Sequence, residues 1–427
     1  MLSDLWSQSN KRSKTERLFR QVRRLAKGGS FLVNGRGRGR VCQTNQTRQS
    51  QWQKNLREVD SRYMKDPIVV GVVGCGYWGP NLVRNFKGLS NCNLRAMCDS
   101  NETRLKHMRS LYSDVEGVTD FEHLLNGVGL DAVVVATPVK YHYSLAKASL
   151  LAGKHTLIEK PMASSSAECE ELIEIAESKG LVLMVGHTFL YSAPVRKIVE
   201  IVQAGDIGEI RYINSRRLNL GLFQKDINVA WDLAPHDISI ILHVLGEFPQ
   251  TVNCQGNAHV TPGIEDVTNI SLSFRQKRFA TIQSSWLEPR KIRDMTIVGT
   301  RRMIVYDDLQ THEKIRIYDV RVERPPHYDT FADFHYSYHY GDSYIPHIQQ
   351  EEPLKAECQH FLDCIANGVQ PLTSGRAGLE LVRILEAAST SLKGQGAPVN
   401  FSRSHPEFSS GERAWSREFR QAEPMPV

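Results

Sequence analysis

Residues 67–79 read Pro-Ile-Val-Val-Gly-Val-Val-Gly-Cys-Gly-Tyr-Trp-Gly, and this stretch decides the fold. Its first part, residues 68–73, is an apolar run that ends at a glycine, as is typical of a parallel strand buried on both faces. Residues 74–79 then match G-x-G-x-x-G directly before a predicted helix. Gly74 permits a tight turn, Gly76 lets the backbone approach a pyrophosphate, and Gly79 allows close packing of helix on strand. The stretch predicts a dinucleotide-binding turn.

The rest of the chain predicts an α/β domain followed by an α+β domain. Strands are predicted at 94–98, 131–136, 156–158 and 181–185, and helices at 101–112, 122–125, 142–152 and 166–179. This alternation predicts a doubly wound parallel sheet, the Rossmann arrangement. Beyond residue 190, apolar and polar residues alternate at 270–274, 280–286 and 295–298, with helices predicted at 192–204, 236–245, 353–366 and 375–392. Alternation at period two predicts a large, mostly antiparallel open sheet.

Charge and composition divide the chain further. Residues 1–66 hold 16 Lys and Arg against 5 Asp and Glu, whereas the remaining residues have a net charge of −5. We therefore expect a basic, disordered leader at 1–66, a dinucleotide-binding domain at 67–188, a substrate domain at 189–400 closed by helices 353–392, and a loose tail at 401–427. The leader is either a solvated extension or a tail for nucleic acid or a membrane surface. With its net negative charge, the body shows no electrostatic signature of nucleic-acid binding.

Several classes of protein are disfavoured. No apolar run is long enough for a membrane span, and the N-terminus lacks the pattern of a secretory signal. The eight cysteines form no C-x-x-C pair, and several lie in strand-like runs, so we expect free thiols in a reducing cytoplasm and no metal site. The aromatic and histidine-rich segment 327–347 lacks the spacing of a metal site, and we interpret it as a loop that covers substrate or contacts another subunit.

The residue at the end of the second predicted strand indicates the cofactor. Asp99 follows Gly74 by 25 residues, near the spacing of the acid that binds the adenosine ribose. A carboxylate there accepts hydrogen bonds from ribose hydroxyls and repels a 2′-phosphate. The adjacent Ser100 and Asn101 supply no arginine for such a phosphate. NAD is therefore expected rather than NADP.

Three later stretches carry the chemistry. Ala136-Thr137-Pro138 with His142, and Glu159-Lys160-Pro161, follow strand ends, where ligands of open α/β sheets bind. Trp231-Asp232-Leu233-Ala234-Pro235-His236 leads into a predicted helix. Taken singly, Lys160 is an ordinary surface lysine, Asp232 a helix N-cap and His236 a hydrogen-bonding residue. Found together and in this order behind the fingerprint, they indicate an active site.

These motifs resemble the glucose-fructose oxidoreductase, inositol dehydrogenase and rhizopine-catabolism family (Gfo/Idh/MocA) of sugar dehydrogenases, over residues 67–399. The resemblance implies that Lys160 lies between nicotinamide and substrate, that His236 is the general base, and that Asp232 holds the substrate hydroxyl or orients the site. It implies a hydride transfer from a secondary carbinol to NAD. Pro161 fits a turn that follows a cis bond, and His142 is interpreted as mainly structural. The residues expected at the cofactor are Gly74, Gly76, Tyr77, Trp78, Gly79, Asp99, Thr137, Pro138, His142, Glu159 and Lys160.

The substrate is predicted from overall resemblance only. Residues 186–245 look most similar to the branch that acts at C3 of nucleotide-linked amino sugars, such as UDP-N-acetylglucosamine or its uronate. Four basic residues could neutralise a diphosphate or could be ordinary strand-surface charges, namely Arg216, Arg217, Lys225 and Arg290. Two alternatives stay open: a dehydrogenase of inositol or a free sugar, and a catalytically silent NAD-binding sensor or scaffold. The resemblance also implies a homo-oligomer through the open sheet.

Overall fold

A computed structural model describes residues 66–323 and 337–401, which belong to one compact unit, Lys65–Val427. The predicted leader and almost all of the predicted tail lie outside the described residues, as does the first half of the aromatic segment 327–347. No helix in the described part of the chain is both long enough and apolar enough to cross a membrane.

The first part of the described chain forms a parallel six-stranded sheet in the order β3-β2-β1-β4-β5-β6, with helices on both faces. Its strands are β1 (Ile68–Val73), β2 (Cys92–Cys98), β3 (Glu116–Val118), β4 (Ala132–Val135), β5 (His155–Glu159) and β6 (Leu183–Gly186). Its helices are α1 (Gly79–Lys87), α2 (Glu102–Leu111), α3 (Phe121–Gly127), α4 (His142–Leu151) and α5 (Ser166–Ser178). The predicted doubly wound fold is confirmed. The edge strand β3 was not predicted, because it has three residues and buries only Val118 fully.

The second sheet has nine strands in the order β14-β13-β12-β11-β7-β10-β9-β8-β15. They are β7 (Ile210–Leu220), β8 (Thr251–Asn257), β9 (Val267–Ser273), β10 (Phe279–Ser285), β11 (Leu287–Gly299), β12 (Met303–Asp307), β13 (Ile315–Glu323), β14 (Ser337–Tyr344) and β15 (Val399–Asn400). All pairings are antiparallel except that of β7 with β10. The expected mostly antiparallel sheet is confirmed.

Helices cover one face of this second sheet. They are α6 (Ala193–Gln203), α7 (Val229–Leu245) and α9 (Gly375–Lys393), and a core of apolar residues fills the space between them and the sheet. Between α7 and α9 in sequence, the chain also forms helix α8 (Pro353–Asn367). Helix α8 packs differently from the prediction for a closing helix of the second domain. Its Phe361 meets Phe86 of α1 edge to face, so α8 belongs to the core of the first sheet.

Helix α7 begins earlier than predicted. The sequence suggested a start at 236, because Pro235 disfavours a helix interior. The structure places Pro235 inside the helix, which begins at Val229 and is capped by the Asn228 side chain, whose Oδ1 accepts from the Trp231 N–H at 3.1 Å. Asp232 is therefore a first-turn residue rather than an N-cap. It lies one turn before His236 on the same helix, so the two side chains lie on the same face of α7.

Candidate active site

The glycines of the fingerprint show why this loop suits a pyrophosphate. Gly74 has φ +98°, and a Cβ there would lie 2.6 Å from the Ala136 carbonyl oxygen. A Cβ on Gly79 would lie 1.8 Å from the Gly74 carbonyl oxygen, so α1 packs onto the turn itself. A Cβ on Gly76 would meet nothing nearer than an Arg104 guanidinium nitrogen at 3.9 Å. The space beside Gly76 is thus free of protein, and the residues present fit a dinucleotide phosphate at the N-terminus of α1.

Asp99 is buried at the end of β2 and is held by backbone donors. The Cys75 N–H donates to Oδ2 at 2.7 Å and the Asn101 N–H donates to Oδ1 at 2.8 Å, which leaves lone pairs for ribose hydroxyls. Arg104 lies in the first turn of α2, 3.9 Å from Oδ2. The sequence argument considered only the residues adjacent to Asp99 and missed this arginine. Arg104 and the fingerprint loop line a cavity of about 270 Å³.

The ends of β4 and β5 are joined through His142. Its Nδ1 lies 2.8 Å from the Pro161 carbonyl oxygen and its Nε2 lies 2.7 Å from the Thr137 carbonyl oxygen. Both ring nitrogens face backbone carbonyl oxygens, so His142 holds the ends of β4 and β5 together, in keeping with its interpretation as mainly structural. The Lys160–Pro161 bond is cis. The Thr137 hydroxyl is buried and has no hydrogen-bond partner among the described residues, and Pro138 begins the turn that leads into α4.

Lys160 and Asp232 come together although 72 residues separate them in sequence. The Lys160 ammonium donates to the Asp232 backbone carbonyl at 2.8 Å and lies 3.8 Å from the Asp232 Oδ1. The other carboxylate oxygen accepts from the indole N–H of Trp286 at 3.1 Å. Trp286 is buried at the end of β10, so the second sheet fixes the orientation of this carboxylate. Burial lowers the pKa of Lys160, while Asp232 and Glu159 oppose that shift.

His236 projects from α7 into the same cluster. Its ring packs against Phe189 at a centroid distance of 4.9 Å, and its Nδ1 is buried without a partner among the described residues. Burial and then the positive charges of Lys160 and Arg217 lower its pKa well below 6.5. The imidazole is therefore uncharged at neutral pH and can accept a proton.

His187 lies beside Lys160 and is not among the site residues predicted from the sequence. It follows β6 directly, and the register of β5 with β6 places it beside Lys160. Its side chain is buried, and neither ring nitrogen has a partner among the described residues. Burial, and then Lys160, lower its pKa to about 3, so it too is uncharged. A buried polar side chain without partners is rare, which marks this position as part of the cluster.

Glu159 lies between Trp78 of the fingerprint loop and Lys160. Burial raises its pKa to about 7, although the neighbouring Lys160 opposes the rise. Glu357 of α8 is also buried, accepts from the Thr188 hydroxyl at 2.8 Å, and has its pKa raised well above 4.5 by burial and then by Glu159. Trp78 is partly buried and directs its buried indole N–H toward Glu159, whereas Tyr77 is exposed beside the cavity at the fingerprint loop.

Two of the basic residues suggested for a diphosphate cannot act together. Arg216 and Arg217 are adjacent in β7 and point to opposite faces. Arg216 pairs with Asp294 on the outer face at 2.9 Å. Arg217 is buried on the helix side and donates to Asp237 at 2.6 Å, so its charge is already compensated.

The comparisons with known proteins agree with this geometry. Residues 68–187 match the model of an oxidoreductase family with an NAD-binding Rossmann fold, and residues 195–305 match the GFO/IDH/MocA C-terminal domain. The chain is 27% identical over 331 residues to UDP-N-acetylglucosamine 3-dehydrogenase of Acidithiobacillus ferrooxidans, covering 74% of this chain and 94% of that protein. It is 25% identical over 345 residues to myo-inositol 2-dehydrogenase of Thermotoga maritima, covering 76% and 96%.

A solved structure has the same fold. An Agrobacterium radiobacter oxidoreductase in complex with NAD+, L-tartaric acid and magnesium superposes with a TM-score of 0.66 at 20% identity, covering 78% of this chain and 98% of that chain. The two family models together span more than half of the sequence. The chain therefore belongs to the Gfo/Idh/MocA family of oxidoreductases, whose cofactor is NAD.

Proposed function

We propose that this protein is an NAD-dependent dehydrogenase that oxidises a secondary hydroxyl of a sugar, with Lys160, Asp232 and His236 as its catalytic residues. The observation that carries the proposal is the Lys160 ammonium held on Asp232 of α7, at the carboxyl edge of the dinucleotide-binding sheet. His236 lies one turn further along the same helix. An ammonium, a carboxylate and an uncharged imidazole together suit removal of a hydride and a proton from a carbinol.

Each residue has a distinct task in this mechanism. The Lys160 ammonium binds the reacting hydroxyl oxygen and stabilises the negative charge that develops on it. The uncharged His236 accepts the hydroxyl proton. Asp232, fixed by Trp286, keeps the Lys160 ammonium in place. Bound NAD+ would supply the hydride acceptor for this reaction. Asp99 at the ribose position supports NAD over NADP.

Two variants test the catalytic assignment. We expect Lys160→Ala and His236→Ala each to lower kcat by about 10²-fold or more, because these groups act on the reacting hydroxyl. His236→Ala should retain NADH binding, because His236 is not among the residues expected at the cofactor. The exposed Lys179 offers a matched control, and Lys179→Ala should leave kcat unchanged. If the wild-type protein binds NADH but none of the tested sugars supports NAD+ reduction, the result would favour a silent sensor and refute the dehydrogenase proposal.

For the substrate, we propose C3 of a nucleotide-linked amino sugar such as UDP-N-acetylglucosamine or its uronate. The similarity to a UDP-N-acetylglucosamine 3-dehydrogenase supports this choice, and the comparable similarity to a myo-inositol 2-dehydrogenase supports the alternative of a free polyol. NAD+ reduction measured against a panel of UDP-sugars, free sugars and inositol separates them. Activity confined to inositol would refute the nucleotide-sugar assignment.

We also propose a cytoplasmic homo-oligomer. The described cysteines are all free thiols, which supports a reducing compartment. On the outer face of the second sheet, Tyr212 and Phe279 stack at 5.4 Å and are partly exposed, which supports contact with a second copy through this face. Light scattering on wild type and on Tyr212→Asp/Phe279→Asp tests this, with a smaller mass expected for the variant. A monomeric wild type would refute it.

A further inference from the structure

Two arginines lie side by side behind helix α7. The register of β7 with β11 pairs Arg293 directly with Arg217. Paired residues of antiparallel strands share a face, with Cα atoms about 4.5–5.5 Å apart. Because Arg217 is on the helix side of the sheet, Arg293 is on that side as well. Two guanidinium groups therefore lie close together on the side of the second sheet that faces helix α7.

Their charges are compensated unequally. Arg217 donates to the Asp237 carboxylate at 2.6 Å, in a close and fully buried ion pair. Among the described residues, the carboxylate within salt-bridge range of Arg293 is Asp308, at 3.8 Å. Asp308 also lies 3.3 Å from the Lys314 ammonium and accepts a hydrogen bond from Tyr306, so one carboxylate faces two cations.

Arg293 also has an unused donor. Its Nε is buried and has no hydrogen-bond partner among the described residues, although a third of the side chain is exposed. Leaving a buried charged donor unpaired is costly, and such groups are normally satisfied by an anion or by water. Burial and then Arg217 lower the pKa of Arg293, which reflects the same lack of compensation.

Arg293 is linked to His236 through packed side chains, beginning with its strand partner Arg217. The positive charges that lower the pKa of His236 include Lys160, Arg217 and Arg293. Arg217 also stacks on Phe189 at 4.7 Å, and Phe189 packs on the His236 ring at 4.9 Å. Arg293 is thus joined to His236 through Arg217 and Phe189, on the same side of the second sheet.

We propose that Arg293 forms an anion-binding subsite for a carboxylate on the substrate, so that the preferred substrate is an acidic sugar of the uronate type. A planar guanidinium binds a carboxylate through two parallel hydrogen bonds. The carboxylate supplies the negative charge that Asp308 provides only in part. This inference rests on the proposed function, because it names the substrate class of the same site.

The test measures binding rather than turnover. NADH-loaded enzyme is titrated with two matched pairs, glucose and glucuronate, and UDP-N-acetylglucosamine and its C6 uronate, with NADH fluorescence as the readout. We expect wild type to bind the carboxylate member of a pair at least tenfold more tightly, the effect of a hydrogen bond to a charged group. Arg293→Met should reduce that ratio to about one. Arg216→Met removes a neighbouring arginine from the outer face and should keep the wild-type ratio.

Several outcomes would overturn the subsite. The first is that wild type shows no preference for the carboxylate in either pair. The second is that Arg293→Met keeps the wild-type preference. The third is that Arg293→Met loses affinity for UDP while it keeps the preference for carboxylates, since that would assign Arg293 to phosphate. Should Arg293→Met lose NADH binding, Arg293→Lys carries the test, with an intermediate ratio expected. Failure of NAD+ reduction with every sugar would refute the dehydrogenase and leave the binding ratio intact, so the two failures are distinguishable.

Discussion

The buried ion pair between Arg217 and Asp237 gives the sharpest prediction for stability. Both side chains are about 4% exposed, the closest nitrogen–oxygen distance is 2.6 Å, and the Ser215 hydroxyl donates to the same carboxylate at 2.6 Å. Asp237→Asn removes the charge and leaves a guanidinium buried without a counter-ion. Breaking one partner of such a pair costs about 3–5 kcal/mol in unfolding free energy.

The double variant distinguishes this cost from a simple loss of packing. Arg217→Met with Asp237→Leu removes both charges and fills the space with apolar atoms, and such replacements are often neutral. We expect the double variant to recover most of the stability that Asp237→Asn loses. Asp294→Asn is the control, because it breaks the half-exposed pair of the adjacent Arg216 and should cost no more than about 1 kcal/mol.

Urea denaturation of the full chain, followed by tryptophan fluorescence and far-UV circular dichroism, measures these differences. Equal costs for Asp237→Asn and Asp294→Asn would refute the reasoning. The reasoning would also be refuted if the double variant lost as much unfolding free energy as its two single substitutions lose together. In that case the two charges would not be coupled.

Three further predictions concern pH and the cofactor loop. Because burial holds the pKa of His236 well below 6.5, kcat/KM should be retained above that pKa and fall only when the pH drops through it, so its acid limb lies below pH 6.5. Gly79→Ala should lose both stability and NADH binding, since its Cβ would lie 1.8 Å from the Gly74 carbonyl oxygen, whereas Gly76→Ala should weaken NADH binding at unchanged stability. Burial lowers the pKa of His243 to about 4, so the folded state resists its protonation. From pH 7.5 to 5, denaturation should therefore show wild type losing about 2 kcal/mol more than His243→Gln.

The fold of the first sheet could be predicted because its strands are buried on both faces. Continuous apolar runs such as Ile68–Val73 and Ala132–Val135 leave few alternatives, and the glycine fingerprint fixes the turn between β1 and α1. The second sheet was predicted only where alternation is regular. Strand β7 was not predicted, because the adjacent Arg216 and Arg217 interrupt its alternation of apolar and polar residues. Arg217 is buried against Asp237, although its residue type is polar.

The candidate site was predicted only where a motif carried it. Lys160 belongs to the Glu-Lys-Pro tripeptide, and Asp232 and His236 are four residues apart. The order of these motifs along the chain was enough to predict that the three residues form one site. Trp286 and Arg293 belong to no motif and reach the site through strand register, which no local pattern specifies. Tertiary structure alone brings such residues to the cluster.

The charge around His236 links catalysis to the nature of the substrate. Lys160, Arg217 and Arg293 all disfavour its protonated form, which weakens it as a base in the free enzyme. A substrate carboxylate bound to Arg293 would neutralise one of these charges and raise the pKa of His236 in the complex. We therefore expect the acid limb of kcat, which reports the complex, at higher pH for an acidic sugar than for its neutral counterpart. Identical limbs for the two substrates would show that the carboxylate lies too far from His236 to act on it.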